Sequence, residues 1–223
     1  AGAIADFTSF SFHAVKNLTI AEGGALSWRN IDGVDNDELY HELQLYSLHG
    51  QSKDALSKNK AGAWEYDVVY PAYKCNMTNI NAAIGIAQLE RYEGLLARRR
   101  VLNERYETAL EKLGIKVMHH YTEEMTSTGH LYLVRIPGAS VDDRNAVIQD
   151  MAEREIACNV HYKPLPMMTA YKNLGFDIAD YPNAYHQYEN LISLPIFSTM
   201  TDEQNEYVIE NFVDILKKRG LIK

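Results

Sequence analysis

The sequence predicts an α/β fold in two parts. Three observations point there: two strand-like runs near the start, one very long amphipathic helix, and then strands alternating with helices over roughly 100 residues. The chain has 223 residues, enough for one large domain or two small ones. The long helix is placed to bridge a part covering residues 1–90 and a part covering residues 91–223.

Taken in order, Phe7 to Phe12 and Gly24 to Trp28 read as strands joined by a loop that carries Lys16. Asp35 to Leu48 has helical spacing at Leu39, Leu43 and Tyr46, with Gly50 as its stop. Gln51 to Lys74 is polar and irregular apart from Trp64, Tyr66 and Pro71, and a loop of that length is usually functional or disordered. From about Thr78 to Leu113 the apolar positions Ile80, Ala83, Ile84, Ala87, Tyr92, Leu95, Leu102, Tyr106 and Leu110 follow a helical period. Gly94 marks a possible bend in that helix. Strands are then expected at Ile115–His119, His130–Ile136 and Ala157–Tyr162. Helices are expected at Val141–Arg154, about Asn183–Ile192 and Thr201–Arg219, the last opened by a capping box from Thr201 to Gln204.

Composition excludes several classes. The chain is 46% hydrophobic and 23% charged with a formal charge of −8, which argues against nucleic acid as the main partner, because phosphate binding needs a basic face. Arg98-Arg99-Arg100 lies in a helical pattern and reads as a solvated face. Two cysteines, Cys75 and Cys158, are too few for a disulfide framework, and no histidine or cysteine spacing suggests a metal site. A reduced, cytoplasmic setting fits. No run of about 18 apolar residues offers a membrane span, and the first residues lack the pattern of a signal peptide. The chain opens on Ala1 without an initiator methionine, which leads to the expectation that it is the later part of a longer protein.

The stretch FSFHAVKNLTIAEGGAL, Phe10 to Leu26, poses the chemical question. An amine in water has a pKa near ~10.4 and is a poor nucleophile at neutral pH. To form a Schiff base it must be desolvated or set beside another cation, which a loop in a cleft can arrange. Phe10, Phe12, Val15 and Leu18 make burial of Lys16 plausible. Gly23 and Gly24 permit close backbone approach, and Ser11 offers a hydroxyl to an anion. By itself, a lysine near a Gly-Gly pair is equally well a solvated loop charge.

The whole string resembles the cofactor-lysine segment of the DegT/DnrJ/EryC1/StrS family, the pyridoxal-phosphate-dependent sugar aminotransferases. Further landmarks of that family follow in its order: Trp64-Glu-Tyr66, Ala72-Tyr-Lys-Cys-Asn-Met-Thr78 running into Ala82-Ala-Ile-Gly85, Gly129-His-Leu-Tyr132, Asn159-Val-His-Tyr162, Tyr181-Pro-Asn-Ala184 and Ser193-Leu-Pro195. The resemblance covers essentially the full chain. It implies a pyridoxal-phosphate transferase fold of type I, like aspartate aminotransferase, with residues 1–90 in the large cofactor-binding domain. Residues 91–223 would be the small C-terminal α/β domain, linked by the helix at about 78–113.

The resemblance also implies roles. Lys16 would carry pyridoxal 5'-phosphate as a Schiff base and, once displaced, move protons during the transfer. Ser11 would bind the cofactor phosphate. Asn76 matches a region that reaches the neighbouring subunit's phosphate, implying a homodimer with shared active sites. His161 and Tyr162, with His13 beside the lysine, would line the substrate pocket. Each has a structural alternative: Ser11 as a strand-end hydroxyl, Asn76 as a helix cap, His161 and Tyr162 as strand-end residues, Trp64 and Tyr66 as loop packing, His13 as a packed ring. The implied substrates are a nucleotide-linked keto sugar, acted on at C4 and carried on UDP, and an amino donor of the glutamate/2-oxoglutarate pair, for lipid A or surface-glycan synthesis.

Two departures from the family pattern stand out. Ala72 replaces a usual glycine and would be strained if that turn needed φ > 0, and Asn79 replaces a common aspartate near a helix start. The family's aspartate for the pyridine nitrogen lies upstream of the lysine segment, so an N-terminal fragment is expected as the missing partner of the site. Two competing readings are a sugar dehydratase, against which Lys16 speaks because that branch has histidine there, and a non-catalytic fragment or partner that dimerises through the long helix.

Overall fold

The computed structural model describes residues 2–52 and 65–223. The expectation for Trp64 lies outside the described residues. The chain divides into two compact units, Ala1–Arg91 and Tyr92–Lys223.

In the first unit β1 (Phe7–Ser11) pairs antiparallel with β2 (Gly24–Trp28), Phe7 opposite Trp28 and Ser11 opposite Gly24. Helix α1 (Asn36–Ser47) starts where the Asp35 side chain accepts the backbone N–H groups of Asp37 and Glu38, satisfying two donors that a helix leaves open. It ends at Ser47, and Gly50, the stop its sequence position suggested, donates its N–H back to the Leu45 carbonyl at 2.8 Å. Gly50 adopts φ +71, and a side-chain carbon there would lie 2.1 Å from the Tyr70 carbonyl oxygen. The polar stretch after residue 64 is tied back to this helix end through Val69 N–H to the Gly50 carbonyl, Tyr73 N–H to Tyr46 and Cys75 N–H to Ser47. Among the described residues, the non-glycine positions with positive φ are Ala21, His49 and Glu155, and Ala72 is not one of them. The alanine therefore carries no left-handed strain.

Helix α2 (Asn79–Leu110) runs unbroken through Gly94. Thr78 caps it, its hydroxyl accepting the Asn81 N–H at 3.2 Å, so Asn76 does not perform that role. In the part of α2 belonging to the second unit, Arg99, Leu102, Asn103, Tyr106 and Leu110 are buried. Those spacings put them on one face.

The second unit is built on a three-stranded antiparallel sheet in the order β3 (Lys116–Val117), β4 (Tyr132–Arg135), β5 (Leu191–Leu194). Helix α3 (Val141–Glu153) follows β4, short helices α4 (Thr169–Lys172) and α5 (Pro182–Tyr188) precede β5, and α6 (Asp202–Lys218) follows it. Both α3 and α6 open with reciprocal capping boxes, Ser140 with Asp143 and Thr201 with Gln204. Tyr132, Val134 and Ile136 join one hydrophobic core with Leu102, Tyr106 and Leu110 of α2, Val147 and Met151 of α3, and Phe212, Ile215 and Leu216 of α6. The alternation along β4 sends Leu133 and Arg135 to the other face of the sheet.

Three expected elements differ. The helix forecast to end near Ile192 stops at Tyr188, and Leu191–Leu194 is a fully buried strand. A short, mostly apolar run such as Leu-Ile-Ser-Leu fits either period, and pairing with β4 decides it. The strand forecast at Ala157–Tyr162 reduces to one bridge, in which Asn159 and Ser193 exchange backbone hydrogen bonds of 3.1 and 2.7 Å. The strand forecast at Ile115–His119 pairs only over Lys116–Val117. Among the described residues no helix is long and apolar enough to cross a membrane, and no group of three or more His, Cys, Asp or Glu is placed to hold a metal.

Candidate active site

The loop between β1 and β2 is stapled at its neck. Phe12 donates its N–H to the Gly23 carbonyl at 2.8 Å, and its own carbonyl accepts the Ile20 N–H at 2.9 Å. The Thr19 hydroxyl donates to that same carbonyl at 3.3 Å. Inside this neck the Lys16 N–H meets the His13 carbonyl at 2.9 Å, closing a tight turn that puts the lysine at its end. The glycine pair serves the neck. A side-chain carbon on Gly24 would sit 2.6 Å from the Phe10 carbonyl oxygen, and one on Gly23 would sit 2.3 Å from Ile20 Cδ1. The close approach expected of these glycines is thus to the chain's own backbone and to Ile20.

Ile20 anchors the loop, at 1% exposure. It packs toward Gly85 of α2, where an added carbon would lie 3.1 Å from Ile20 Cγ2. Asn81 in the first turn of α2 donates from Nδ2 to the Ile20 carbonyl at 2.7 Å and the Glu22 carbonyl at 3.2 Å. Sequence reasoning missed Asn81. The available signal was its place three residues after the capping Thr78, which turns it back toward the helix start.

Lys16 is half-buried, and its ammonium has no ion pair or hydrogen bond among the described residues. Its expected apolar enclosure is partial, since Phe12 and Leu18 are half-buried whereas Phe10 and Val15 are exposed. Ser11 is exposed at the end of β1, its hydroxyl accepting the His13 N–H at 3.4 Å. His13 is not packed; its Nε2 faces the Glu22 carboxylate at 3.4 Å across the loop mouth. Asn76 is exposed and its Oδ1 accepts the Lys74 ammonium. Lys16, Ser11 and His13 share one loop, with Asn76 elsewhere in the same unit.

His161 and Tyr162 belong to the second unit. His161 Nδ1 lies 2.7 Å from Ser193 Oγ of β5, and burial holds its pKa below the ordinary imidazole value, favouring the neutral ring. Tyr162 is 69% exposed and meets His161 edge-on at 4.6 Å between ring centres. His161 also borders a cleft of about 630 Å³ on the sheet face away from the core.

Residues 1–213 match the DegT/DnrJ/EryC1/StrS aminotransferase family. The chain belongs to this family. It is 34% identical over 222 residues to the spore coat polysaccharide biosynthesis protein SpsC of Bacillus subtilis strain 168, covering 97% of this chain and 55% of that protein. It is 36% identical over 206 residues to the uncharacterised protein MJ1066 of Methanocaldococcus jannaschii, covering 91% and 52%. Among solved structures, the putative sugar aminotransferase Spr1654 of Streptococcus pneumoniae in its PMP form superimposes with a TM-score of 0.93 at 53% identity, covering 98% of this chain and 55% of that one. The chain spans about half the length of these relatives. The fold is that of type I pyridoxal-phosphate transferases. DegT-family aminotransferases use pyridoxal phosphate, and Spr1654 was also solved in a PLP form. A loop amine with no partner among the described residues, on the same loop as a strand-end hydroxyl, is a donor set suited to the cofactor's carbonyl and phosphate.

Proposed function

We propose that this chain is the lysine-bearing part of an aminotransferase that moves an amino group from glutamate to a keto group of a nucleotide-linked sugar, at C4 of a UDP-4-keto sugar, for a surface polysaccharide. The observation that carries the reading is Lys16, a loop amine without a partner among the described residues, in the segment that matches the family. The names of Spr1654, as a sugar aminotransferase, and of SpsC, for spore coat polysaccharide, support the substrate class.

Bound pyridoxal phosphate supplies an electron sink for the substrate's Cα–H bond. The chain's residues supply position and protons. The staple at Phe12 and the turn from His13 fix the Lys16 backbone, leaving its side chain as the moving part. With pyridoxal phosphate bound, that amine would hold its carbonyl carbon and, once displaced by the amino substrate, would be the group that accepts and returns a proton. The Ser11 hydroxyl would donate to the cofactor phosphate. With its Oδ1 accepting from Lys74, Asn76 keeps its amide N–H groups as donors that would hold a neighbouring subunit's cofactor phosphate in a homodimer. Neutral His161, held at Nδ1 by Ser193, presents Nε2 to a sugar hydroxyl.

The test is borohydride reduction of the protein with pyridoxal phosphate, followed by mass mapping. A pyridoxyl group on Lys16 is expected. A label spread over surface lysines with none on Lys16 overturns the reading.

A further inference from the structure

The end of α3 carries a glutamate in a backbone conformation that favours glycine. Glu155 and Ile156 donate their N–H groups to the Ala152 and Met151 carbonyls, and Glu155 sits between them at φ +60. Glycine closes a helix in this way without strain, and a larger residue does not. The backbone therefore gains nothing from the carboxylate that stands there.

That carboxylate borders a cleft of about 540 Å³ in the second unit. Ile156, Met200 and Val208 are buried at its floor, while Phe197 and Tyr207 border it with 42% and 50% of their surface exposed. Glu203, in the first turn of α6, adds a second carboxylate. Hydrogen bonds from its own backbone and from Thr201 hold its carboxyl below the usual value, so it is charged. Neither glutamate has an ion pair among the described residues. Arg154, which also lines the cleft, is engaged elsewhere, donating to Asn211 and Asp214 at 2.8 Å each.

Backbone groups complete the cleft. Asn159 and Ser193 exchange hydrogen bonds, and in an antiparallel ladder the next pair to do so would be Ala157 with Pro195. Proline has no N–H, and the Pro195 carbonyl accepts the Tyr106 hydroxyl at 2.8 Å. The ladder opens at this point. The N–H and carbonyl of Ala157 make no hydrogen bond among the described residues, and Ala157 and Pro195 both line the cleft.

A free donor and acceptor on one residue suit another peptide group. The floor suits one apolar side chain, and two unpaired carboxylates suit cations. An extended chain offers all three at once, because residues two apart share a face about 7 Å from one another. We propose that this cleft takes an extended basic segment of a partner protein, its backbone pairing with Ala157. An apolar side chain rests on Ile156, Met200 and Val208, and basic side chains two residues to either side meet Glu155 and Glu203.

The experiment is an NMR titration of the isotopically labelled chain with the blocked peptide acetyl-Lys-Ala-Leu-Ala-Lys-amide. A saturable shift of the Ala157 amide is expected. Peptides with Glu for both Lys, or Gly for Leu, should bind at least about tenfold more weakly. Glu155→Gly is the decisive variant: it relieves the left-handed backbone and should raise the melting temperature, while peptide affinity falls several-fold. A folding defect would lower both. Glu203→Gln keeps an acceptor in the first turn of α6 and should also weaken the peptide. No shift at Ala157, equal binding of the three peptides, or wild-type affinity in Glu155→Gly overturns the proposal. Lysinamide binding as tightly as the pentapeptide also overturns it, by making the cleft a site for free amines.

Discussion

Asn81 donates one amide to two carbonyls of the lysine loop, Ile20 at 2.7 Å and Glu22 at 3.2 Å. The start of α2 thereby sets the height of the loop that carries Lys16. Asn81→Leu removes both donors and leaves the Ile20 carbonyl without its partner beside the buried Ile20 side chain. A loss of about 1–3 kcal/mol is expected in denaturant unfolding, with a lower yield of pyridoxyl-Lys16. Unchanged stability and labelling would show that Ile20 packing alone holds the loop.

Two glycines should respond in opposite directions to alanine. At Gly24 the new carbon would lie 2.6 Å from the Phe10 carbonyl oxygen, in the strand pair next to Ser11. Backbone must move there, at a cost of about 1–3 kcal/mol. At Gly94 nothing lies within 4 Å and the backbone is helical, so alanine should stabilise by about 0.5–1 kcal/mol. Melting temperatures of the two variants decide; a shift of the same sign in both refutes the assignment.

Acid should weaken the second unit through His120. The ring is 2% exposed, 3.0 Å from Ser127 Oγ at Nδ1, and 5.9 Å from the Tyr132 ring. Burial lowers its pKa, while Glu107 and a backbone contact at Leu131 oppose that shift. A lowered folded value means the unfolded chain binds the proton first. The contribution is complete above the free imidazole value near ~6.5 and is lost as pH falls through it. His161, also lowered, acts in the same direction. His119 acts oppositely, raised by Glu107, but it is exposed and screened. The denaturant midpoint should fall between about pH 7.5 and about pH 5, with a shallower slope in His120→Gln. Identical slopes would remove His120 as a cause.

What was legible in the sequence was local. Thr201 and Gln204 lie three residues apart and cap α6 as expected, and Gly50, just past the end of α1, combines a left-handed φ with the Tyr70 carbonyl close against it. The segment around Lys16 was readable as a string. What stayed hidden depends on partners far along the chain. Asn81 meets a loop 61 residues earlier, and Arg135 is oriented by Asn190, 55 residues later. The run Leu191–Leu194 becomes a strand only because β4 lies alongside it. Apolar neighbours of Lys16 suggested burial, yet Phe10 and Val15 face outward, since strand and turn geometry rather than composition sets their direction.

Lys16 itself gives the sharpest separation between structure and chemistry. Its ammonium has no ion pair or hydrogen bond among the described residues, and the turn that displays it is held by the backbone N–H, which alanine retains. Lys16→Ala should therefore shift stability by no more than about 0.5 kcal/mol, as for surface positions away from caps and core. It should abolish the pyridoxyl label at this position altogether. A structural lysine would show the reverse, a clear stability loss with labelling unchanged elsewhere. Lys16→Arg keeps the charge but supplies no amine able to condense with an aldehyde, so it should match Lys16→Ala in labelling. If Lys16→Arg retained transamination, the nucleophile would have to be another residue, and the loop would be a phosphate-binding turn alone.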